Sequence, residues 1–495
     1  MHRRIESYEQ ALEFLYSRVN FERQSSHQFT VGDFKLDRMR QLLRRLGDPH
    51  LAIPSIHVAG TKGKGSTSAM IASILTASGR RTGLFTSPHI SAFEERLTVD
   101  GRPPAADEFV SLVNAVAEVV VELDELPGNL GPTYFEIATA LGWLYFARSQ
   151  AEVVVLEVGM GGRLDSTNLC RPAVCVITSI SRDHTRQLGS HVEQIAAEKA
   201  GIIKPQVPVV SGVLDPGARQ VVERVSREQQ SPLFQLGREF TCEYYPGGDV
   251  TQSEEIGREP DAEGIDRFDV QTSRQSWRGL PLRLMGEHQS RNAALAISVV
   301  ERLREQSWTI SDSAVWLGLD RVRWAGRIEV LARQPTVIVD GAHNWAAIAA
   351  LVETLDRRFR ARRRILVFAA SRDKDVAGML RLLLPRFDTV ILTAFHNNPR
   401  NLPADELARL ARSLSTRYVH LAADTTSAWK LAKRLAGPPD LICVTGSFFI
   451  AAELREQILD QTRGNSPPGM AAAALTVERD SATIPAGPTQ VDERE

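Results

Sequence analysis

Cysteine, net charge and long apolar runs are all scarce in this sequence, and each shortage excludes a class of protein. The formal net charge is −1, so no overall field favours nucleic acid or a membrane surface. No apolar run is long enough to span a bilayer, and the first residues lack the apolar segment of a secretory signal. We expect a monomeric cytoplasmic protein without nucleic-acid or membrane partners. Four cysteines without C-x-x-C spacing favour free thiols over a metal site: Cys170, Cys175, Cys242 and Cys443.

What the sequence does contain is a regular alternation of strand-like and helical patterns over most of its 495 residues. Such alternation is typical of an α/β protein, in which helices cover a mostly parallel sheet. Residues 240–280 interrupt the alternation and favour a small peripheral β-subdomain. The predicted strands are 56–59, 82–85, 153–156, 174–178 and 207–211 in the first half and 336–339, 365–369, 389–393 and 441–444 in the second.

The length of the chain favours two domains, because single hydrophobic cores rarely grow beyond roughly 250–300 residues. We predict a first domain over residues 1–322 and a smaller second domain over residues 323–463. From about residue 464 the composition turns to Ser, Pro, Gly, Ala and Thr, which predicts a disordered tail over 464–495.

A glycine-rich loop lies between a predicted strand and a predicted helix, at residues 60–67. The glycines let the backbone curl around an anion, and N–H groups at the helix start can point at that anion. Lys64 can reach β- or γ-phosphates. The strict pattern G-x-x-x-x-G-K-[ST] is not met, because Gly65 separates Lys64 from Ser66. A turn that binds nothing is therefore the alternative.

Several polar residues directly follow predicted strands, where ligands bind in parallel sheets. Ser87 follows the second strand, and His184 follows the fourth. Glu157 ends an apolar strand, and a carboxylate there favours a hard cation such as Mg²⁺. A salt bridge from Glu157 to Arg163 is the alternative. In the second half, polar loops follow strands at 340–344, 371–375 and 445–447.

Two groups of basic residues have simple structural interpretations. Lys199 lies near the end of a predicted helix, where a cation suits the helix dipole. The run at 357–364 contains six arginines and one aromatic residue, which favours a solvated turn over an RNA-binding patch.

Taken together, these segments resemble the folylpolyglutamate synthase/dihydrofolate synthase family, a branch of the Mur ligase superfamily. Each motif is weak alone, but their order along roughly residues 34–455 is specific. The matching segments are VAGTKGKGST (58–67), TSPH (86–89), TYFE (133–136), LEVGMGGRLDSTN (156–168), DH (183–184), EKAGIIK (198–204), GEHQSRNA (286–293), WAGR (324–327), DGAHN (340–344), DKD (373–375) and VTGS (444–447).

The resemblance implies an ATP-dependent ligase with an N-terminal P-loop domain and a smaller Rossmann-like C-terminal domain. It implies ATP, L-glutamate and a folate or dihydropteroate as substrates, joined through an acyl phosphate, and two Mg²⁺ ions. Lys199 matches the lysine that family members carry as a carbamate. Lys64, Lys199 and His343 are the implied catalytic residues. The implied ATP-binding residues are Gly63, Lys64, Gly65, Ser66, Asn292, Arg327 and Asp340; the metal ligands are Ser87, Glu157, His184 and Lys199; the substrate-binding residues are Thr133, Tyr134, Phe135, Glu136, Leu164, Asp165, Ser166 and Ser447.

Three positions depart from the usual family pattern. Lys62 stands where many bacterial members have Asn, and Trp345 stands where Pro is usual. Residues 34–36 differ from the common pterin-side loop, which leaves dihydropteroate recognition open. Two alternatives also stay open: a Mur-type ligase with another acyl substrate, and a catalytically silent nucleotide-binding protein.

Overall fold

The computed structural model describes residues 4–22, 36–126, 131–182, 185–252, 264–396, 398–416 and 418–464. Within these residues the strands form three sheets. The fold is mixed α/β, with a mostly parallel sheet in the N-terminal part and a separate sheet in the C-terminal part, as the sequence predicts. None of the described helices is both long and apolar enough to cross a membrane.

The N-terminal sheet has seven strands in the order β3-β2-β4-β1-β5-β6-β7. All neighbours are parallel except β2 and β3. The glycine-rich loop follows the central strand β1, and the carboxyl ends of β2, β4 and β5 lie at the same edge. The strands are β1 (Ser55–Ala59), β2 (Thr82–Phe85), β3 (Leu97–Val99), β4 (Val153–Glu157), β5 (Pro172–Ile177), β6 (Val209–Ser211) and β7 (Leu233–Gln235).

Helices cover both faces of this sheet. Helix α4 contributes Met70, Ile71, Ile74 and Leu75 to the core. One face is covered by α4, α10 and α11, and α1, α2, α5 and α6 enclose a second core. The helices are α1 (Tyr8–Tyr16), α2 (Leu36–Arg45), α3 (Pro49–Ala52), α4 (Lys64–Ala77), α5 (Ala106–Asp124), α6 (Tyr134–Arg148), α7 (Thr185–Leu188), α8 (Val192–Ala200), α9 (Pro216–Glu228), α10 (Glu287–Glu305) and α11 (Asp312–Arg321).

A small antiparallel sheet occupies the region expected to be a peripheral β-subdomain. Its strands are β8 (Phe240–Tyr245), β9 (Asp266–Thr272) and β10 (Ser276–Leu282), in the order β10-β9-β8. The sheet is not peripheral, because one face packs into the same core as α10. Alternating apolar residues such as Phe268 and Val270 supply that buried face.

The C-terminal sheet has six strands in the order β11-β12-β16-β13-β14-β15, all parallel except β11. Its strands are β11 (Glu329–Arg333), β12 (Thr336–Val339), β13 (Arg364–Phe368), β14 (Thr389–Leu392), β15 (Val419–Leu421) and β16 (Leu441–Thr445). Its helices are α12 (Trp345–Arg358), α13 (Val376–Leu383), α14 (Ala404–Leu414), α15 (Thr425–Leu435) and α16 (Phe448–Gly464).

The basic run at 357–364 is not simply a solvated turn. Arg358 is buried and forms an ion pair with Asp266 of β9, which is also buried. Its guanidinium also donates to the carbonyl of Gly248 at 3.0 Å. Asp266 in turn accepts from the Gly286 N–H at 3.0 Å, directly before α10. This ion pair therefore joins α12 to the small sheet and to the start of α10.

Replacing Asp266 with alanine should lower the free energy of unfolding by about 3–5 kcal/mol, because the Arg358 charge would stay buried without its partner. Glu228→Ala is the control, since Glu228 and its partner Arg224 are both more than half exposed. The control should lose less than about 1 kcal/mol. Urea unfolding measures both values. Equal losses would show that the buried pair contributes no more to the free energy of unfolding than an exposed pair.

Candidate functional site

A cavity of about 710 Å³ lies at the carboxyl edge of the N-terminal sheet and is lined by residues of both halves of the chain. It brings together every site residue expected from the sequence except one. His184 lies outside the described residues, together with Asp183. The expected residues that line the cavity are Gly63, Lys64, Gly65, Ser66, Ser87, Thr133, Tyr134, Phe135, Glu136, Glu157, Leu164, Asp165, Ser166, Lys199, Asn292, Arg327, Asp340, His343 and Ser447.

The glycine-rich loop connects β1 to α4 within this cavity. Gly63 directly precedes the helix and has a φ of +83°, a backbone conformation that residues other than glycine rarely adopt. The residue that follows β5 holds this loop in place, because the Thr178 hydroxyl donates to the Lys62 carbonyl at 2.6 Å. The N–H groups of the first turn have no partner inside a helix. The start of α4 therefore offers them to an anion, beside the amine of Lys64.

Both glycines next to Lys64 are crowded by residues that are distant in the sequence. The Asn292 amide of α10 occupies the space that a β-carbon on Gly63 would need. The Trp324 ring lies 3.2 Å from the corresponding position at Gly65. The Asn292 amide is itself oriented by donating to the Gln289 side chain at 2.9 Å. A side chain on either glycine would displace these neighbours.

Glu157 ends β4 as a buried carboxylate, 4% exposed. It accepts a hydrogen bond from the Ser87 N–H at 3.1 Å. Burial raises the pKa of Glu157, and the positive charge of Lys64 partly opposes this increase. The alternative salt bridge from Glu157 to Arg163 is wrong, because Arg163 pairs with Glu198 at 2.8 Å.

Lys199 is also buried, and its side chain extends from α8 to the glycine-rich loop. Its amine donates to the Gly60 carbonyl at 2.9 Å. This contact explains the position of Lys199 better than the helix dipole does, because the nitrogen lies beside the loop.

The residues expected on the pterin side of the cavity are mostly held by one another. The Thr133 hydroxyl caps α6, and Glu136 accepts from the Thr133 N–H at 2.7 Å. Glu136 also pairs with Arg38 at 3.1 Å. The Phe135 ring covers Gly159, which leaves no room for a side chain there. Glu136 therefore has a structural function in addition to lining the cavity.

Two of the residues expected from the C-terminal half lie beside the Phe448 ring. The Arg327 guanidinium lies 4.5 Å from the ring centre, and the His343 ring lies 5.4 Å from it. Asp340 accepts from the N–H groups of Ile328 at 2.9 Å and Ala342 at 2.8 Å. Burial raises the pKa of Asp340, and Arg327 partly opposes this increase.

Other side chains line the cavity without having been assigned from the sequence. Arg96 is 1% exposed, donates to both Glu22 oxygens at 2.8 and 2.6 Å, and donates to His89 at 2.7 Å. No local pattern identifies Arg96, because Glu22 lies 74 residues away. Lys374 also lines the cavity, and the polar loop 371–375 was the sequence signal for it. Within the described ranges, no three His, Cys, Asp or Glu side chains come together as a metal-ligand cluster.

Comparisons with known proteins show the family of the chain. The Mur ligase middle domain matches residues 58–300, and the Mur ligase glutamate ligase domain matches residues 326–448. The chain is 36% identical over 429 residues to the dihydrofolate synthase/folylpolyglutamate synthase of Bacillus subtilis. The aligned region covers 86% of this chain and 94% of the relative.

Two solved structures are also similar. The Mycobacterium tuberculosis folylpolyglutamate synthase complexed with ADP has a TM-score of 0.81 and 32% identity, covering 91% of this chain and 98% of that one. The Escherichia coli FolC in complex with DHPP and ADP has a TM-score of 0.78 and 28% identity, covering 94% and 100%. The chain therefore belongs to the folylpolyglutamate synthase/dihydrofolate synthase family of Mur ligases. It is an ATP-dependent ligase of the folate synthase type.

Replacing Gly63 with alanine should weaken ADP binding at least about tenfold, because the new methyl group would displace Asn292 and distort the anion site. Gly79→Ala is a matched control at the other end of the same helix. Gly79 has a φ of +88° but nothing within 4 Å of its β-carbon position. The control should cost about 1 kcal/mol of stability and leave ADP affinity unchanged. Isothermal titration calorimetry measures the ADP affinity of both variants, and urea unfolding measures their stability. Unchanged ADP affinity in Gly63→Ala would contradict the loop assignment.

Proposed function

We propose that the protein uses ATP to add L-glutamate to a folate through an acyl phosphate intermediate. The observation that carries this proposal is the single cavity that contains the glycine-rich loop, the pterin-side residues and the C-terminal His343 and Ser447. An acyl phosphate is readily hydrolysed, so its formation and its reaction with an amine must occur in one enclosed site. A cavity lined from both halves of the chain meets this requirement.

Nucleotide binding is assigned to residues on both sides of the cavity. The phosphates would contact Gly63, Lys64, Gly65 and Ser66, where backbone N–H groups and an amine meet. Arg327 and Asp340 would contact the rest of the nucleotide together with Asn292. Asp340 is buried, and backbone N–H groups fix its carboxylate, so it can accept hydrogen bonds from ligand hydroxyl groups without reorganising.

The donor set near the loop fits Mg²⁺. Glu157 is a buried carboxylate with the Ser87 N–H as its hydrogen-bond donor, and Ser87 can add a hydroxyl oxygen. Mg²⁺ is usually bound by one or two carboxylates together with substrate phosphates. Ser87 and Glu157 would hold one ion with His184, and Lys199 as a carbamate would hold a second. When bound, these ions neutralise charge on the transferring phosphoryl group.

The chain's own residues would act mainly by binding and orientation. The substrate carboxylate attacks the γ-phosphorus, which gives an acyl phosphate and ADP. The glutamate amine then attacks the acyl carbon, and inorganic phosphate leaves. Lys64 would stabilise negative charge in the first step, while His343 and Ser447 would orient the incoming glutamate for the second.

Other proposals rest on the sequence rather than on this geometry. We retain the domain limits of 1–322 and 323–463, a monomeric state and a cytoplasmic location as proposals. Residues 465–495 of the expected tail lie outside the described residues. Phe34 and Lys35, which affect the expected dihydropteroate recognition, also lie outside them.

The test of this function is an assay of ADP release. Purified protein would receive ATP, Mg²⁺ and glutamate with either tetrahydrofolate or dihydropteroate. We expect ADP release that depends on both glutamate and tetrahydrofolate, and the dihydropteroate reaction reports whether dihydrofolate is also made. If neither pterin supports glutamate-dependent ADP release, the proposal is contradicted and a ligase for another acyl substrate is favoured. Binding of ATP without any turnover would favour a silent nucleotide-binding protein.

Lys199→Ala should lose at least about a hundredfold in kcat and recover part of it with added short carboxylates, because they would replace the carbamate oxygens. Lys64→Ala is the matched control, since it also removes an amine from the cavity. It should lose activity without any recovery, because a phosphate contact needs a cation. Wild-type activity in Lys199→Ala would show that no carbamate is required.

A further inference from the structure

A histidine lies in the middle of the central strand β1, where apolar residues are expected. His57 is completely buried, and its neighbours in the sequence are the apolar residues Ile56 and Val58. A buried polar group costs free energy unless it is hydrogen-bonded. Its ring nitrogen Nε2 lies 2.9 Å from the Thr167 hydroxyl oxygen, which belongs to the loop after β4.

The direction of this hydrogen bond follows from the next one. The Thr167 hydroxyl donates to the Asp165 carboxylate at 2.6 Å, so its oxygen must accept from the His57 Nε2–H. Burial lowers the pKa of His57 to about 3, which keeps the ring neutral. The two bonds thus form a chain from β1 through Thr167 to Asp165.

Asp165 lines the cavity, and its two carboxylate oxygens are held differently. Oδ1 accepts from both the N–H and the hydroxyl of Thr167. Oδ2 accepts from the Met160 N–H at 2.9 Å. A carboxylate has about four acceptor positions. Hydrogen bonds from the described residues fill three of them, and the fourth, on Oδ2, can accept from a ligand.

We propose that His57 and Thr167 are positioning residues that orient Asp165 toward the N–H donors of a planar heterocycle. This inference rests on the proposed function, because a pterin ring carries such donors next to one another. The chain of hydrogen bonds begins on β1, two residues before the strand ends at Ala59 and the glycine-rich loop begins. One strand therefore positions both the glycine-rich loop proposed for the ATP phosphates and the carboxylate proposed for the pterin ring of the second substrate.

Thr167→Val tests the proposal, because it keeps the shape of the side chain and removes the hydroxyl. The KM for the pterin substrate should rise about tenfold, as expected for one misaligned hydrogen bond. The KM values for ATP and glutamate should stay within about twofold. Thr167→Ser keeps the hydroxyl and should restore the KM for the pterin substrate.

Thr272→Val is the matched control. Thr272 is buried in the small sheet, and its hydroxyl donates to the Glu301 carboxylate at 2.7 Å. This variant should lower Tm and leave every KM unchanged. If Thr167→Val behaves in the same way, the hydroxyl only stabilises the fold and the inference is wrong. If the wild-type protein itself shows no pterin-dependent ADP release, the proposed function fails first.

A second pair of variants covers the case in which Thr167→Val does not fold. His57→Gln can keep an Nε2–H donor at a similar reach, whereas His57→Leu removes it. Dihydropteroate binding should be about tenfold weaker in His57→Leu than in His57→Gln, with equal ADP binding in the two. Equal dihydropteroate binding would overturn the proposal.

Discussion

A carboxylate buried at the end of a parallel strand needs positive charge nearby, and Glu157 imposes this requirement on the cavity. Burial raises its pKa, and Lys64 and Arg327 oppose that change from opposite halves of the chain. The carboxyl ends of β1, β2 and β4 meet at one edge, so the loop carrying Lys64 and the Ser87 N–H reach Glu157 together. The same arrangement that balances Glu157 also supplies the charges and oxygen ligands that the proposed phosphate and divalent-cation site needs.

Close contact between the elements around this edge depends on residues without side chains. Asn292 and Trp324 follow the small sheet in the sequence. They approach the glycine-rich loop closely only because Gly63 and Gly65 leave room. The cavity is therefore built from segments that are far apart in the sequence. In such a site, orientation and charge contribute more to catalysis than any single nucleophile.

The central strands could be predicted from the sequence because their signals are local. The apolar runs at 82–85 and 336–339 match β2 and β12 without a shift. The strands that were missed include β3, β7, β11 and β15, which lie at the edges of the two larger sheets. Edge strands are short and partly exposed, so they carry no continuous apolar pattern. The residues of β11, for example, are all half-buried.

The site residues were predicted by motif, but their partners could not be. Arg163 follows Glu157 closely in sequence and yet pairs with Glu198 of α8. The contact of His57 with Thr167 joins residues 110 positions apart, and only the folded sheet reveals it. The basic run at 357–364 illustrates the same limit, because a count of arginines does not show that Arg358 is buried beside Asp266. Pairing across long sequence separations depends on topology rather than on local composition.

The Arg358–Asp266 pair also couples the stability of the two halves of the chain. A cut in the connection between α11 and β11 would leave a guanidinium without a counter-charge in one fragment and a carboxylate in the other. Each fragment would have to hydrate a group that the intact chain keeps dry. The intact chain avoids that cost, so the two halves stabilise each other through this pair.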